Sequence, residues 1–87
     1  MNLTWDELKR QTALADRGVD FADAQQVFAR CVYEFEDIRH DYGECRMICV
    51  GFLADRLMVV GYVQRGESRH IFSMRKANGR EQTRFGQ

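Results

Sequence analysis

The chain has 87 residues, of which 45% are hydrophobic and 30% are charged, and its formal net charge is zero. This length allows one compact domain, residues 1–87, with a small core. No run of residues approaches the roughly 20 apolar positions of a membrane span, and no secretory signal follows Met1. We therefore expect a cytoplasmic protein with no membrane partner.

The neutral total hides an uneven distribution of charge. Residues 1–44 carry a net charge of −5 and residues 45–87 a net charge of +5, a pattern typical of a protein with one polyanion-facing region. Eleven of the thirteen basic residues are arginine, whose planar guanidinium can bind phosphate or carboxylate through two hydrogen bonds. Arginines on an ordinary solvated face would have the same composition, so both interpretations stay open here.

The cysteines and histidines predict neither a disulfide framework nor a metal site. Cys31, Cys45 and Cys49 are odd in number and form no Cys-x-x-Cys pair, which is typical of reduced thiols. A zinc site needs about four clustered ligands, and His40 and His70 are not spaced to complete one. We therefore expect no metal and no cofactor.

Two N-terminal helices are predicted. A capping-box pattern begins at Thr4, apolar residues then recur at helical spacing, and Gly18 is a natural stop, so we expect a helix over residues 5–17. Asp20 can cap a second helix, whose apolar stripe continues to Phe28.

Four strands and a short helix are predicted for the rest of the chain. In residues 31–36, Cys31, Tyr33 and Phe35 alternate with Val32, Glu34 and Glu36, which predicts a strand with one polar face. A charged connection, residues 37–43, follows. Asn78, with Glu81 three residues later, can cap a short C-terminal helix. Short turns join the remaining strand-like segments and favour antiparallel pairing; these segments are residues 44–53, 56–64 and 68–76. The predicted fold class is therefore α+β, with two N-terminal helices, an antiparallel sheet of about four strands and a short C-terminal helix.

Basic residues on the predicted strands are the candidates for chemistry. Strict alternation on the last strand places Arg69 and Arg75 on one face and His70 and Lys76 on the other. An unpaired buried charge is very costly. The arginines, Arg46 among them, must therefore face water, a carboxylate or a ligand phosphate.

A cluster of these cations would suit one reaction. RNA can be cut without a metal when its own 2′-hydroxyl attacks the adjacent phosphate, and preplaced cations stabilise the negative charge that develops there. Histidine is the usual general acid or base near neutral pH. The candidate catalytic group is Arg46, His70, Arg75 and Lys76. A structural histidine and ordinary Glu44–Arg46 or Glu81–Lys76 ion pairs are the open alternatives.

Several motifs resemble the BrnT family of toxins. The resemblance runs in register from about Leu3 to Phe85. Its elements are Trp5-Asp6-x-x-Lys9, Gly18-Val19-x-Phe21, Ala24-x-x-Val27-Phe28, Asp41-Tyr42-Gly43-Glu44-x-Arg46 and the closing Ile71-Phe72-Ser73-Met74-Arg75-Lys76-Ala77-Asn78 with Arg80-Glu81. The chain departs from the family pattern at three places, which are Ala13, Asp16-Arg17 and His70.

The resemblance implies a RelE-like fold and the toxin of a type II toxin–antitoxin system, an endoribonuclease that stops growth by cutting RNA. It also implies a BrnA-like antitoxin in an assembly with two copies of each partner, which would contact operator DNA only through the antitoxin. By position, the implied catalytic residues are Arg46, His70, Arg75 and Lys76, with Glu44 supporting and Arg65, Arg69 and Arg80 binding RNA.

Two other functions remain open from the sequence. One is a catalytically inactive toxin-fold module that acts through an antitoxin in autoregulation of its operon. The other is an α+β domain with no nucleic-acid role.

Overall fold

The structure, a computed structural model, describes residues 2–86. Five strands form one sheet in the order β1-β5-β4-β3-β2, in which β1 is parallel to β5 and the other neighbours are antiparallel. The elements in chain order are β1 (Asn2–Trp5), α1 (Glu7–Arg17), a 3₁₀ turn (Phe21–Asp23), α2 (Ala24–Ala29), β2 (Cys31–Glu36), β3 (Arg46–Leu53), β4 (Arg56–Arg65), β5 (Ser68–Lys76) and α3 (Gly79–Phe85).

The predicted architecture is wrong at its beginning and in its sheet. The described chain starts with a strand instead of a helix, and this strand pairs with β5 so that Trp5 lies opposite Ile71. The result is a five-stranded mixed sheet, not a four-stranded antiparallel one. Asp6, and not Thr4, caps α1 by accepting hydrogen bonds from two backbone amides. A strand of four residues is too short to show a period in the sequence, so its pairing with β5 decides its structure.

The later elements lie close to their predicted bounds. β3 begins at Arg46, two residues later than expected, and β4 continues to Arg65. Asn78 caps α3 in a capping box with Glu81, as predicted. In the part of the chain that the structure covers, no helix is long and apolar enough to cross a bilayer.

Apolar side chains pack on both faces of the sheet. The larger cluster lies under α1 and α2, on what we call the helix face, and includes Val27, Val60 and Met74. The smaller cluster, on what we call the open face, includes Val50 and Val59 and is covered partly by α3. Because successive side chains of a strand point to opposite faces, the central strands contribute to both clusters.

A bulge in β5 reverses the facing of its side chains. The register of β4 against β5 shifts by one residue at Phe72, and a bulge of this kind breaks the alternation of side chains. Arg69 therefore lies on the helix face, over the rings of Phe28 and Tyr62. Arg75 lies on the open face. The prediction that Arg69 and Arg75 share one face is wrong for this reason.

Candidate active site

A cleft of about 480 Å³ lies on the open face of the sheet. Its floor is formed by the central strands, and its walls are the connection between β2 and β3 on one side and α3 on the other. Three arginines line it, namely Arg39, Arg46 and Arg75, together with the rings of Tyr42 and Phe72. Three carboxylates, those of Glu36, Asp37 and Glu81, line it as well. The cleft as a whole is therefore not positively charged, and its attraction for an anion depends on an arginine that has no carboxylate partner.

Arg46 is held in this cleft by aromatic rings. Its guanidinium carbon lies 4.0 Å from the ring centroid of Tyr42 and 4.5 Å from that of Phe72. Its Nε is buried and has no hydrogen-bond partner, and within residues 2–86 it forms no ion pair. The two rings therefore fix and partly desolvate a positive charge that no carboxylate neutralises, and low local dielectric strengthens its attraction for an anion.

Arg75 enters the cleft from β5 with a carboxylate partner. Its two terminal nitrogens donate to the two carboxylate oxygens of Glu81 on α3, at 2.7 and 2.8 Å. These hydrogen bonds raise the pKa of Arg75 and lower the pKa of Glu81, to which the backbone amide of Asn78 also donates. The Arg75 side chain is 45% exposed, so the pair orients this cation on the cleft wall without burying it.

The wall formed by the β2–β3 connection is organised around Asp37. The carboxylate of Asp37, only 5% exposed, accepts two hydrogen bonds from the Arg39 guanidinium, both at 2.9 Å. It also accepts one from the Tyr42 hydroxyl at 3.3 Å. The contacts with Arg39 hold the pKa of Asp37 well below its usual range. Because the Tyr42 ring covers Arg46, this network helps to position the unpaired cation.

Sequence reasoning missed the role of this network. It treated residues 37–43 as a solvated, charged connection, because the pattern of an isolated loop does not show which carboxylate becomes buried. The only available signal was that Tyr42 belongs to the segment that resembles the BrnT pattern and ends at Arg46.

The structure brings two of the four candidate catalytic residues into the cleft, Arg46 and Arg75. His70 is on the same sheet face as Arg46 but in β5, with Val63 of β4 between them, so two strand spacings, about 10 Å, separate their backbones. Its Nδ1 lies 2.9 Å from the Thr4 hydroxyl. Lys76 lines a separate hollow near the end of the sheet.

The other expected site residues lie on different surfaces. Arg65 donates to Glu44 at 3.1 Å, and this exposed pair is outside the cleft lining. Arg69 is on the helix face, as described above. Arg80 lies on α3, in a groove that adjoins the cleft.

Among residues 2–86, one group has the composition of a metal site. Ligand atoms of Cys31, Glu34 and Cys49 lie within 4.8 Å of one another. Burial raises the pKa of the Cys49 thiol, which opposes formation of the thiolate that a metal requires. Glu34 already accepts a hydrogen bond from the Tyr62 hydroxyl at 2.7 Å. This group lies on the helix face, and the sheet separates it from the cleft.

The fold is a small α+β domain with an open cleft on one sheet face, and the cleft holds an arginine, Arg46, that no carboxylate among the described residues neutralises. A site of this kind favours an anionic ligand. A family model described as the ribonuclease toxin BrnT of type II toxin–antitoxin systems matches residues 5–81. The chain belongs to this family, so the resemblance found in the sequence is confirmed. Membership implies a ribonuclease toxin with an antitoxin partner. No curated protein matches the chain.

Proposed function

We propose that this toxin cuts RNA in the cleft without a metal. The 2′-oxygen attacks the adjacent phosphate, the phosphorus–5′-oxygen bond breaks, and the products are a 2′,3′-cyclic phosphate and a 5′-hydroxyl whose proton comes from water. The main support is the environment of Arg46. Its guanidinium is fixed between Tyr42 and Phe72 and has no carboxylate partner in the described chain. Negative charge grows on the phosphate oxygens in the transition state. A preplaced, desolvated cation stabilises that charge more than it stabilises the ground state, and so accelerates the reaction.

In this proposal Arg75 and Arg39 hold the phosphates on either side of the reacting one. Each already has a carboxylate partner that orients it, and a phosphate can share an arginine whose guanidinium edge faces solvent. Glu81 is ionised, since its pKa is lowered by Arg75, and we assign to it the role of accepting the 2′-hydroxyl proton when a phosphate competes for Arg75. His70 and Lys76 lie outside the cleft lining and receive no step.

We also propose a partner for this toxin. A BrnA-like antitoxin would neutralise the toxin in the cytoplasm, in an assembly with two copies of each chain, and would provide the contact with operator DNA. The open cleft and its exposed arginines support the neutralisation, because an antitoxin segment with acidic side chains could occupy the place of RNA.

The test is the rate of cleavage of single-stranded RNA by Arg46→Ala and Arg46→Lys, in buffer that contains a metal chelator. We expect the alanine variant to be slower by about 10²- to 10³-fold, as when one stabilising donor is removed from a transition state. The lysine variant should recover part of this loss, because it restores charge without the planar contact between the rings. Arg65→Ala, outside the cleft, is the matched control. Undiminished cleavage by Arg46→Ala would refute this site.

One observation favours the alternative of an inactive toxin-fold module in operon autoregulation. Within residues 2–86 no histidine lines the cleft, so the usual general acid or base is not in contact with the proposed reaction site. Purified native protein that leaves total RNA intact, while still binding its antitoxin, would support this alternative.

A further inference from the structure

A second groove, of about 400 Å³, continues the cleft across the edge strand β2. It shares Phe35, Glu81 and Phe85 with the cleft and adds Tyr33, Arg80 and Arg84. We infer that this groove binds single-stranded RNA beside the bond that is cut, with bases stacked on its rings and phosphates on its arginines. The inference rests on the proposed function, because it describes how the same site takes its substrate.

The aromatic side chains of the groove form an open stacking surface. The rings of Tyr33 and Phe85 are stacked, with centroids 5.1 Å apart and planes 17° from parallel. The Phe35 ring lies 5.6 Å from that of Tyr33. Tyr33 remains 46% exposed and Phe35 39% exposed. Because every base has an aromatic face, such rings bind unpaired bases with little dependence on sequence.

The positive charge of the groove is not neutralised within the described chain. Arg80 and Arg84 form no ion pair with any residue from 2 to 86. The one carboxylate in the groove, Glu81, is already held by Arg75. The Arg84 guanidinium carbon lies 5.4 Å from the ring centroid of Phe85, so cation and stacking surface adjoin. This combination of rings and cations is typical of sites for single-stranded nucleic acid.

A protein strand added to the edge of β2 is less well supported than RNA. The register of β2 against β3 shifts between Cys31 and Tyr33, and a bulge of this kind interrupts the regular row of backbone donors and acceptors. Glu34 and Glu36 add charge to the same edge. Bulges and charged side chains are features that discourage strand addition.

The test measures the affinity of an uncuttable probe, a fluorescent single-stranded oligonucleotide with a 2′-methoxy group on every sugar, by fluorescence anisotropy. Tyr33→Ala and Tyr33→Leu should each weaken binding by at least about five-fold, because both remove the stacking ring. Tyr33→Phe keeps the ring and should bind as the native chain does. Lys9→Ala, which removes one positive charge from α1, is the control for a change in overall charge.

A second probe with the same sugar–phosphate chain but no bases separates stacking from charge. Arg84→Ala should weaken the binding of both probes, whereas Tyr33→Leu should weaken only the binding of the probe with bases. Equal affinity of Tyr33→Leu and native protein for the first probe would overturn the inference. An affinity that Tyr33→Leu loses to the same extent for the abasic probe would also overturn it, because the loss would then not depend on bases. A Tyr33→Leu variant that bound RNA normally but lost its antitoxin would assign the groove to the protein partner instead.

These outcomes are independent of catalysis because the probe cannot be cut. If the native protein cuts RNA but Tyr33→Leu binds the probe as tightly as the native protein does, the proposed function stands and the groove inference is refuted. If Tyr33→Leu binds the probe more weakly but the native protein does not cut RNA, the groove inference stands and the proposed function is refuted.

Discussion

At the scale of single residues, the cleft depends on side chains that hold a cation in place without neutralising it. Tyr42 and Phe72 contact Arg46 through their ring faces. Tyr42 is held in turn by the hydrogen bond that its hydroxyl donates to the Asp37 carboxylate, and the position of Phe72 depends on the bulge in β5. Changes at these positioning residues should therefore reach Arg46 without touching it.

The first prediction concerns Asp37→Asn. The amide cannot bind the Arg39 guanidinium as the carboxylate does, so the wall loosens and the Tyr42 ring loses its anchor. We expect RNA cleavage to fall on the order of ten- to a hundred-fold, as for a small misplacement of a catalytic group. Kinetics with single-stranded RNA measure this. Asp41→Asn, in the same connection but exposed, is the control and should cleave at the native rate.

The same substitution predicts a change in acid stability. Because folding lowers the pKa of Asp37 from its ordinary value of 3.8, the native chain gains stability from this carboxylate above that pH. It loses the gain as pH falls from 3.8 through the folded pKa. Asp37→Asn never has this gain. The difference in urea midpoint between native and variant should therefore be largest near neutral pH and shrink below pH 3.8. A difference that did not change with pH would contradict it.

The second prediction concerns Gly61→Ala on β4. A Cβ there would lie 2.5 Å from the Phe72 ring and 2.8 Å from the Ser73 hydroxyl oxygen, so the ring must shift from the position in which it contacts Arg46. We expect a loss of about 1 to 3 kcal/mol in the free energy of unfolding and a fall in cleavage of tenfold or more. Gly79→Ala, where a Cβ would meet nothing within 4 Å, should fold and cleave normally.

At the scale of elements, α3 links the end of the chain to the cleft. Its capping box joins Asn78 and Glu81, and Glu81 also binds Arg75 of β5. The Glu81 carboxylate therefore accepts three hydrogen bonds, two from the Arg75 guanidinium and one from the backbone amide of Asn78. A change that frays the start of α3 should loosen the Arg75 cation and the groove formed with β2.

The third prediction therefore concerns Asn78→Ala. Loss of the cap should cost about 1 kcal/mol, which corresponds to a fall of about 4 to 8 °C in Tm for a domain of this size. Differential scanning calorimetry measures this. Thr83→Ala, which removes a side-chain hydrogen bond within α3 but leaves its cap intact, is the matched control. An equal fall in Tm for both variants would show that the cap has no special role.

At the scale of the whole molecule, the two charged halves of the chain do not remain apart. Glu44 of the acidic half pairs with Arg65 of the basic half, and Arg39 of the acidic half enters the cleft. The linings of the cleft and its adjoining groove together hold five arginines and three carboxylates, so positive charge is in excess there. Strands and α3 bring these arginines together from distant parts of the sequence.

The fourth prediction follows from this surface. RNA affinity should fall as salt rises, with a slope of log affinity against log salt of about −2 to −3 if three or four phosphates are contacted on a single strand. Arg46→Ala should make the slope shallower by about 0.7. Anisotropy titrations over a series of salt concentrations measure both values. An affinity that does not depend on salt would count against a phosphate-binding cleft.

Most of the local elements, and the family, could be predicted from the sequence. Period-two runs predicted β2 and β5 with their observed bounds, and Asn78 with Glu81 predicted the cap of α3, because these signals depend only on neighbouring residues. The closing motif identified the BrnT family. By position, the motifs of the resemblance also pointed to Arg46 and Arg75, which the structure places in one cleft, and to His70 and Lys76, which lie outside it.

How these elements combine depends on contacts between residues that are distant in sequence. The strand at residues 2–5 exists because β5 pairs with it, and the bulge at Phe72 sends Arg69 and Arg75 to opposite faces. His70 lies outside the cleft because the strand pairing puts β4 between it and Arg46. Lys76 lines a separate hollow. Non-local pairing and a one-residue shift of register leave no period in the sequence, and they alone select which arginines share the cleft.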